Sequence, residues 1–270
     1  QTCALPICMC RRRIRVPDQW YGDYLAAMGA ARIGERRLKS FVEKYGAQAV
    51  REFITAWLDY SERRASGAIQ ALPGGSILAK GVHDPIEPFL PDGVHIQVGI
   101  EIDSDAGRIK VDLRDNPDSV DAGLNLTEAT ATMSAAQAVF CCLDADIPHN
   151  SGSLRRIEVL LRENCVVGIP RFPHSCSVAT TNMTDTIINA ILAGFAELGD
   201  GYGFSQGNMC NGAGTGVCSG KDWRVGGAPY VNQMFMSAGG MPASANNDGM
   251  HGMVNPVSVG LVYRDSVEVN

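Results

Sequence analysis

The sequence predicts an α+β protein, with a helical N-terminal part followed by a mixed or antiparallel β-rich part with further helices. Three observations carry this expectation. Apolar residues recur at helical spacing between Asp18 and Leu72, the period changes to two at Val94, and glycine becomes dense beyond Gly201.

The helical part is justified by two stretches. Leu38, Phe41, Val42 and Tyr45 share one helix face, and the Gly46 that follows suits a helix end. Val50, Phe53, Ile54, Trp57 and Leu58 follow at i, i+3, i+4, i+7 and i+8, which predicts a second helix with this stripe buried. LPGG (72–75) then reads as a turn that closes the helical part. Next, VHIQVGIEI (94–102) alternates strictly, SDAG (104–107) supplies a turn, and RIKVDLR (108–114) alternates again, predicting a β-hairpin with one face on a core. A helix is expected over 128–143, followed by a second strand pair at RRIEVLL (155–161) and CVVGIP (165–170). Ile187, Ile188, Ile191, Leu192 and Phe195 mark another amphipathic helix ending near Gly199. The glycine-rich tract 202–220 reads as loop, with strands at YVNQMFM (230–236) and VSVGLVY (257–263).

Composition narrows the function classes. A formal charge of −6 and a pI near 5.4 argue against a nucleic-acid binder, which would carry a basic face. Hydrophobic residues make up 45% and charged residues 19%, the range of an ordinary globular protein. No run approaches the roughly 18 apolar residues that span a bilayer. Nine cysteines, an odd count without regular spacing, suggest reduced thiols in a cytoplasm.

Common catalytic signatures fail on inspection. SGKD (219–222) lacks the glycine and the hydroxyl residue that a phosphate-binding loop needs, because Thr215 and Asp222 stand in their places. A dinucleotide fingerprint starting at Gly214 finds Ser219 where glycine is required. His83, His95, His149, His174 and His251 lie far apart, and none has a partner at zinc-binding spacing. Cys210 and Cys218 share a glycine-rich tract without a histidine nearby. His95 is expected to face solvent, whereas His149 and His251 lie in polar, turn-rich segments, where binding residues tend to sit. Asp112 is singled out because it opens the polar run DLRDNPDS directly after a strand.

Six phrases taken in order resemble one family. They are IRVPDQWYGDYLAAMGAARIGERRLKSFVEKYG (14–46), LDYSERRASGAIQALPGG (58–75), KVDLRDNPDSVDAGLNLTEAT (110–130), DIPHNSGSLRRIEV (146–159), IPRFPHSCSVATTNMTDTIINAILAGFAEL (169–198) and NDGMHGMVNPVSVG (247–260). Together they resemble the B-type subunit of the hydantoinase/oxoprolinase family, which also contains the large subunits of acetone and acetophenone carboxylases. DLRDNPD and PRFPHSCSVAT look closer to the ketone carboxylase branch.

The resemblance implies a B-type subunit of an ATP-dependent cyclic amide hydrolase of the hydantoinase or 5-oxoprolinase type, working with an A-type subunit that binds the nucleotide. The alternatives are a subunit of an ATP-dependent ketone carboxylase and a non-catalytic assembly scaffold. ATP is then expected on the partner, not on this chain. A divalent metal is expected in the full-length subunit, but the family's metal-ligand phrases lie upstream of R-x-P and have no counterpart here, so no metal or cofactor ligand is assigned. Asn125, Asn150, Asp248 and His251 lie in family-like phrases and are the candidate site residues. Their alternative reading is structural, as short polar side chains that cap turns and pin loops. Neither nucleic acid nor a membrane is expected as a partner. Residues 1–13, beginning QTCALPI, are expected to be an adapter-derived artefact or disordered, with a helical segment at 14–75 and a β-rich α+β segment at 76–270. Both segments are expected to belong to one larger domain of a truncated subunit that is inactive alone.

Overall fold

The alternating residues at 94–113 form the centre of the architecture. A computed structural model describes residues 4–177, 182–205, 215–235, 243–245 and 248–249. Four strands make one sheet in sequence order: β1 (Gly75–His83), β2 (Val94–Asp103), β3 (Arg108–Asp112) and β4 (Ile157–Leu160). β1, β2 and β3 are antiparallel, whereas β4 runs parallel to β3 with Ile109 beside Ile157. On β2 the residues Val94, Ile96, Val98, Ile100 and Ile102 are all buried. Each such side chain contributes roughly 1.5–3 kcal/mol. The opposite face, with Leu78, Lys80, Val82, His95 and Glu101, is exposed.

The helices are α1 (Ala4–Arg13), α2 (Pro17–Tyr45), α3 (Ala47–Gln70), α4 (Glu128–Cys141), α5 (Ser151–Leu154) and α6 (Met183–Phe195). The chain divides into two compact units, residues 1–56 with 215–234, and residues 57–214 with 235–270. The boundary falls inside α3.

In the second unit α6 lies on the buried face of the sheet. Its Ile187, Ile188, Ile191, Leu192 and Phe195 join the core formed by the β2 and β3 alternation. The approach is close because side chains are small where helix and strand meet. A Cβ on Gly194 would lie 2.9 Å from the Ala79 Cβ, and one on Gly81 would lie 2.9 Å from the Thr186 Cγ2. α4 packs beside α6 through another set of small residues, with Ser134 Oγ 3.2 Å from Thr184 Oγ1. Thr127 caps α4 by accepting from the Thr130 N–H.

In the first unit Pro17 opens α2, and Arg11 of α1 bonds Asp18 while lying over the Tyr21 ring. Gly46, at φ +87°, ends α2 and donates its N–H to the Val42 carbonyl. β5 (Thr215–Asp222) and β6 (Ala228–Phe235) pair into a two-stranded sheet.

The α+β architecture, the hairpin, α4 and the α6 segment agree with the sequence reading; other elements differ. β1 escaped notice because its inward residues after Ile77 are Ala79 and Gly81, too small to signal a core face. RRIEVLL pairs with β3 and not with CVVGIP, so the second strand pair does not form. The Arg162 guanidinium explains this, because it donates to the carbonyls of Arg114, Asn116, Glu163 and Asn164 and folds 162–170 into a bridged loop. The tract read as loop contains β5, with Asp222 accepting from the Arg224 N–H in the turn that follows. Within residues 1–13, expected to be an artefact or disordered, residues 4–13 form α1, which departs from disorder and does not bear on the origin of the segment. In the stripe at 50–58, Val50 is buried but Phe53, Ile54 and Trp57 remain 59%, 50% and 45% exposed. Helical periodicity identifies the apolar face but not whether anything covers it. VSVGLVY (257–263) lies outside the described residues.

Filling the α6–β1 contact tests this packing. Gly194→Val is expected to cost about 1–3 kcal/mol by overpacking, read as a lower urea midpoint. Gly22→Ala, on a helix with nothing within 4 Å of the new Cβ, is expected to leave stability unchanged or slightly raised.

Candidate functional site

Two family-like phrases meet in the second unit. DYSE (59–62) lies on α3, and DIPHNSGSLRR (146–156) runs through α5. Asn150 caps α5, accepting from the Gly152 N–H at 2.8 Å, while its Nδ2 donates to Ser61 Oγ at 2.8 Å. Ser61 Oγ in turn donates to the Trp57 carbonyl at 2.8 Å. Ser153 Oγ donates to the Pro148 carbonyl and accepts from the Asn150 N–H. A Cβ on Gly152 would fall 2.0 Å from the Leu58 carbonyl oxygen, so only glycine lets the two backbones touch. Around this contact Arg155 pairs with Asp59 and Glu62, Arg156 with Glu62, and Arg64 with Asp144. The hydrogen bond from Arg155, aided by Arg156, holds the Glu62 carboxyl below the usual range.

Asn125 is fully buried and equally engaged. Its Oδ1 accepts from the Val120 N–H at 2.8 Å, and its Nδ2 lies 2.9 Å from the carbonyls of Val120, Ala122 and Ser175. Asn125 and Asn150 thus sit in separate clasps, each with its polar atoms in use. Asp248 is exposed, and His251 lies outside the described residues. Asp112 receives two side-chain bonds from Arg114, which hold its carboxyl below the usual range. His95 faces solvent, and His149 stacks on Phe140 with ring centroids 4.5 Å apart. Burial raises the Cys141, Cys142 and Cys165 thiols, which disfavours the nucleophilic thiolate.

A groove that sequence reading missed offers open chemistry. Asn182, Asp185, Thr186 and Asn189 share one face of the α6 segment at i, i+3, i+4 and i+7. Asn182 Nδ2 lies 3.1 Å from His83 Nε2 at the end of β1. Asp185, Thr186 and Asn189 face Lys80, Gly81 and Val82 across a depression of about 410 Å³. The Asn189 Oδ1 is buried there without a hydrogen-bond partner. Lys80 also borders a neighbouring depression of about 470 Å³, with His95, Gln97, Asp115 and Asn116. The lining combines Asp185, Thr186 and Asn189 of α6 with the Lys80–Val82 segment of β1, a polar border that suits a small polar molecule. The only sequence signal was the spacing of polar residues within TTNMTDTIINAI (180–191). Among the described residues no group of three or more His, Cys, Asp or Glu side chains could hold a metal ion.

The family model of hydantoinase B/oxoprolinase matches residues 5–270. A protein of Pseudomonas sp. strain NS671, described as the B-type subunit of a D-/L-hydantoinase, is 27% identical over 195 residues, 68% of this chain and 32% of its own length. The crystal structure of ATP-dependent caprolactamase from Pseudomonas jessenii aligns with a TM-score of 0.71 at 21% identity, over 90% of this chain and 40% of that one. A nucleotide-free structure of acetone carboxylase aligns with a TM-score of 0.75 at 15% identity, over 97% of this chain and 36% of that one. The chain spans about a third of the length of two of the curated relatives it matches, and 12–14% of two longer ones.

The α3–α5 clasp makes two measurable predictions. Asn150→Ala removes a helix cap and the bond to Ser61, and is expected to cost about 1–2 kcal/mol, read in urea unfolding. Because the Glu62 pKa is lowered on folding, its contribution is complete above the ordinary glutamate range. That contribution disappears as pH falls through the lowered value. Acid titration followed by hydrogen exchange is expected to open α5 early, and Glu62→Gln to flatten that dependence.

Proposed function

Because the chain belongs to the hydantoinase B/oxoprolinase family, we propose that it forms part of the B-type subunit of an ATP-dependent cyclic amide hydrolase. In this reading it works in the cytoplasm with an A-type subunit that binds and spends the nucleotide. The observation that carries the reading is the family match across residues 5–270. The relative described as a hydantoinase B-type subunit and the fold likeness to a caprolactamase support the amide substrate class.

The chemistry accounts for the division of labour. An amide oxygen is a poor leaving group until phosphorylated, and the activated species must be shielded from bulk water. ATP supplies that phosphoryl group when bound to the partner. The residues of this chain then hold the ring. The β1–α6 depression, bordered by Lys80, Asp185, Thr186 and Asn189, is the place proposed for the ring.

A second reading, a subunit of an ATP-dependent ketone carboxylase, is favoured by the alignment with acetone carboxylase over 97% of the chain. The two chemistries differ in one requirement, because carboxylation consumes bicarbonate and hydrolysis does not.

Phosphate release separates the readings. The chain alone is expected to release none above background from ATP. Co-expression of the complete subunit with its A-type partner is expected to give release that depends on hydantoin, 5-oxoproline or caprolactam and ignores bicarbonate. A bicarbonate requirement with acetone selects the carboxylase, and silence with every substrate selects a scaffold. Robust ATP hydrolysis by the chain alone overturns all of these. In an active complex, Asn189→Ala is expected to raise KM about tenfold, through the loss of one polar group from the groove lining.

A further inference from the structure

The distal half of α2 carries a face suited to another helix. Every residue from Ala30 to Phe41 is exposed, and α2 buries none of its residues. Helices draw most of their stability from packing an apolar face. Such a face exists here, since Ala27, Ala31, Gly34, Leu38, Phe41 and Tyr45 recur in alternating steps of four and three. This is the repeat of a coiled-coil seam, which receives side chains from a second helix. Small residues at 27, 31 and 34 admit close approach, while Leu38, Phe41 and Tyr45 stand 58%, 44% and 51% exposed.

The charge around the seam specifies what can lie there. With residues 31, 38 and 45 at a and 34 and 41 at d, Arg37 and Lys44 flank the seam on one side and Glu35 and Val42 on the other. Glu35 is already paired with Lys39 at 2.6 Å, whereas Arg36 and Arg37 have no acidic partner among the described residues. The Lys44 ammonium lies 4.9 Å from the centre of the Tyr45 ring. A shallow groove beside Phe41 is lined by Ile33, Arg36, Arg37, Ser40, Lys44 and Tyr45, and no carboxylate borders it. A second copy fits poorly. Antiparallel pairing would set Arg37 against the copy's Lys44, and parallel pairing would leave these cations without counter-charge.

We propose that this face of α2 docks an acidic amphipathic helix of a partner polypeptide, with apolar residues in the seam and Asp or Glu along its flanks. The interaction is independent of the groove chemistry on β1 and α6.

Two dye-labelled synthetic helices with one leucine heptad seam, flanked by glutamate in one and lysine in the other, test the proposal by fluorescence anisotropy with the intact chain. The glutamate peptide is expected to bind at least about tenfold tighter at low salt, with the preference shrinking as salt rises. The exposed double substitution Leu38→Ala/Phe41→Ala is expected to weaken binding about tenfold with unchanged helix content by circular dichroism. Replacing Arg37 and Lys44, the cations flanking the seam, by glutamine is expected to abolish the preference. Equal binding of the two peptides, or indifference to the double substitution, overturns the proposal. So does concentration-dependent dimerisation in sedimentation that the same double substitution abolishes.

Discussion

The second unit depends on how closely α6 approaches β1. Helix and strand meet through Gly194 on Ala79 and Gly81 on Thr186, where one added carbon would fall 2.9 Å from its neighbour. That distance lets Ile187, Ile191 and Phe195 reach the face formed by Ile96, Val98 and Ile100. It also sets Asp185 and Asn189 along the depression that the Lys80–Val82 segment borders. The core and the candidate groove therefore share one constraint. A bulkier residue at the contact would loosen the packing and move the polar groups apart together.

The α3–α5 clasp explains why phrases distant in sequence read as a family signature. DYSE supplies Asp59, Ser61 and Glu62, while the later phrase supplies Asn150, Arg155 and Arg156. Neither half has an evident purpose alone. Surface ion pairs contribute little singly, so the specificity rests on the Gly152 backbone contact and the Ser61–Asn150 bond. Such a phrase reports a shared architecture, which relatives acting on different substrates can keep.

Much of the fold was legible because burial imposes a period. The residues of β2 alternate over ten positions, and α6 concentrates its isoleucines on one side. Legibility failed where side chains are too small to leave a pattern, as at Ala79 and Gly81 of β1. It failed again where one side chain organises a loop, because the reach of Arg162 to four carbonyls leaves no trace in hydropathy. The groove was harder still. Lys80 and Asn189 are more than a hundred positions apart, and only the missed strand brings them together. Asn125 and Asn150 drew attention as polar residues within family-like phrases. In the structure Asn125 bonds the backbone of Val120, Ala122 and Ser175, and Asn150 bonds Gly152 and Ser61.

The position of β1 at the border of its sheet has a further consequence. Among the described residues no strand pairs with the outer side of β1, where backbone donors and acceptors would face another extended chain and where Leu78 and Val82 stand exposed. Between the two lies Lys80. An ammonium in the middle of such a rim resists desolvation, and two rims brought together would oppose like charges. The side chain assigned to the groove therefore also discourages the sheet from growing across copies. A neutral residue there would cost the groove its cation and leave the rim open to runaway strand pairing.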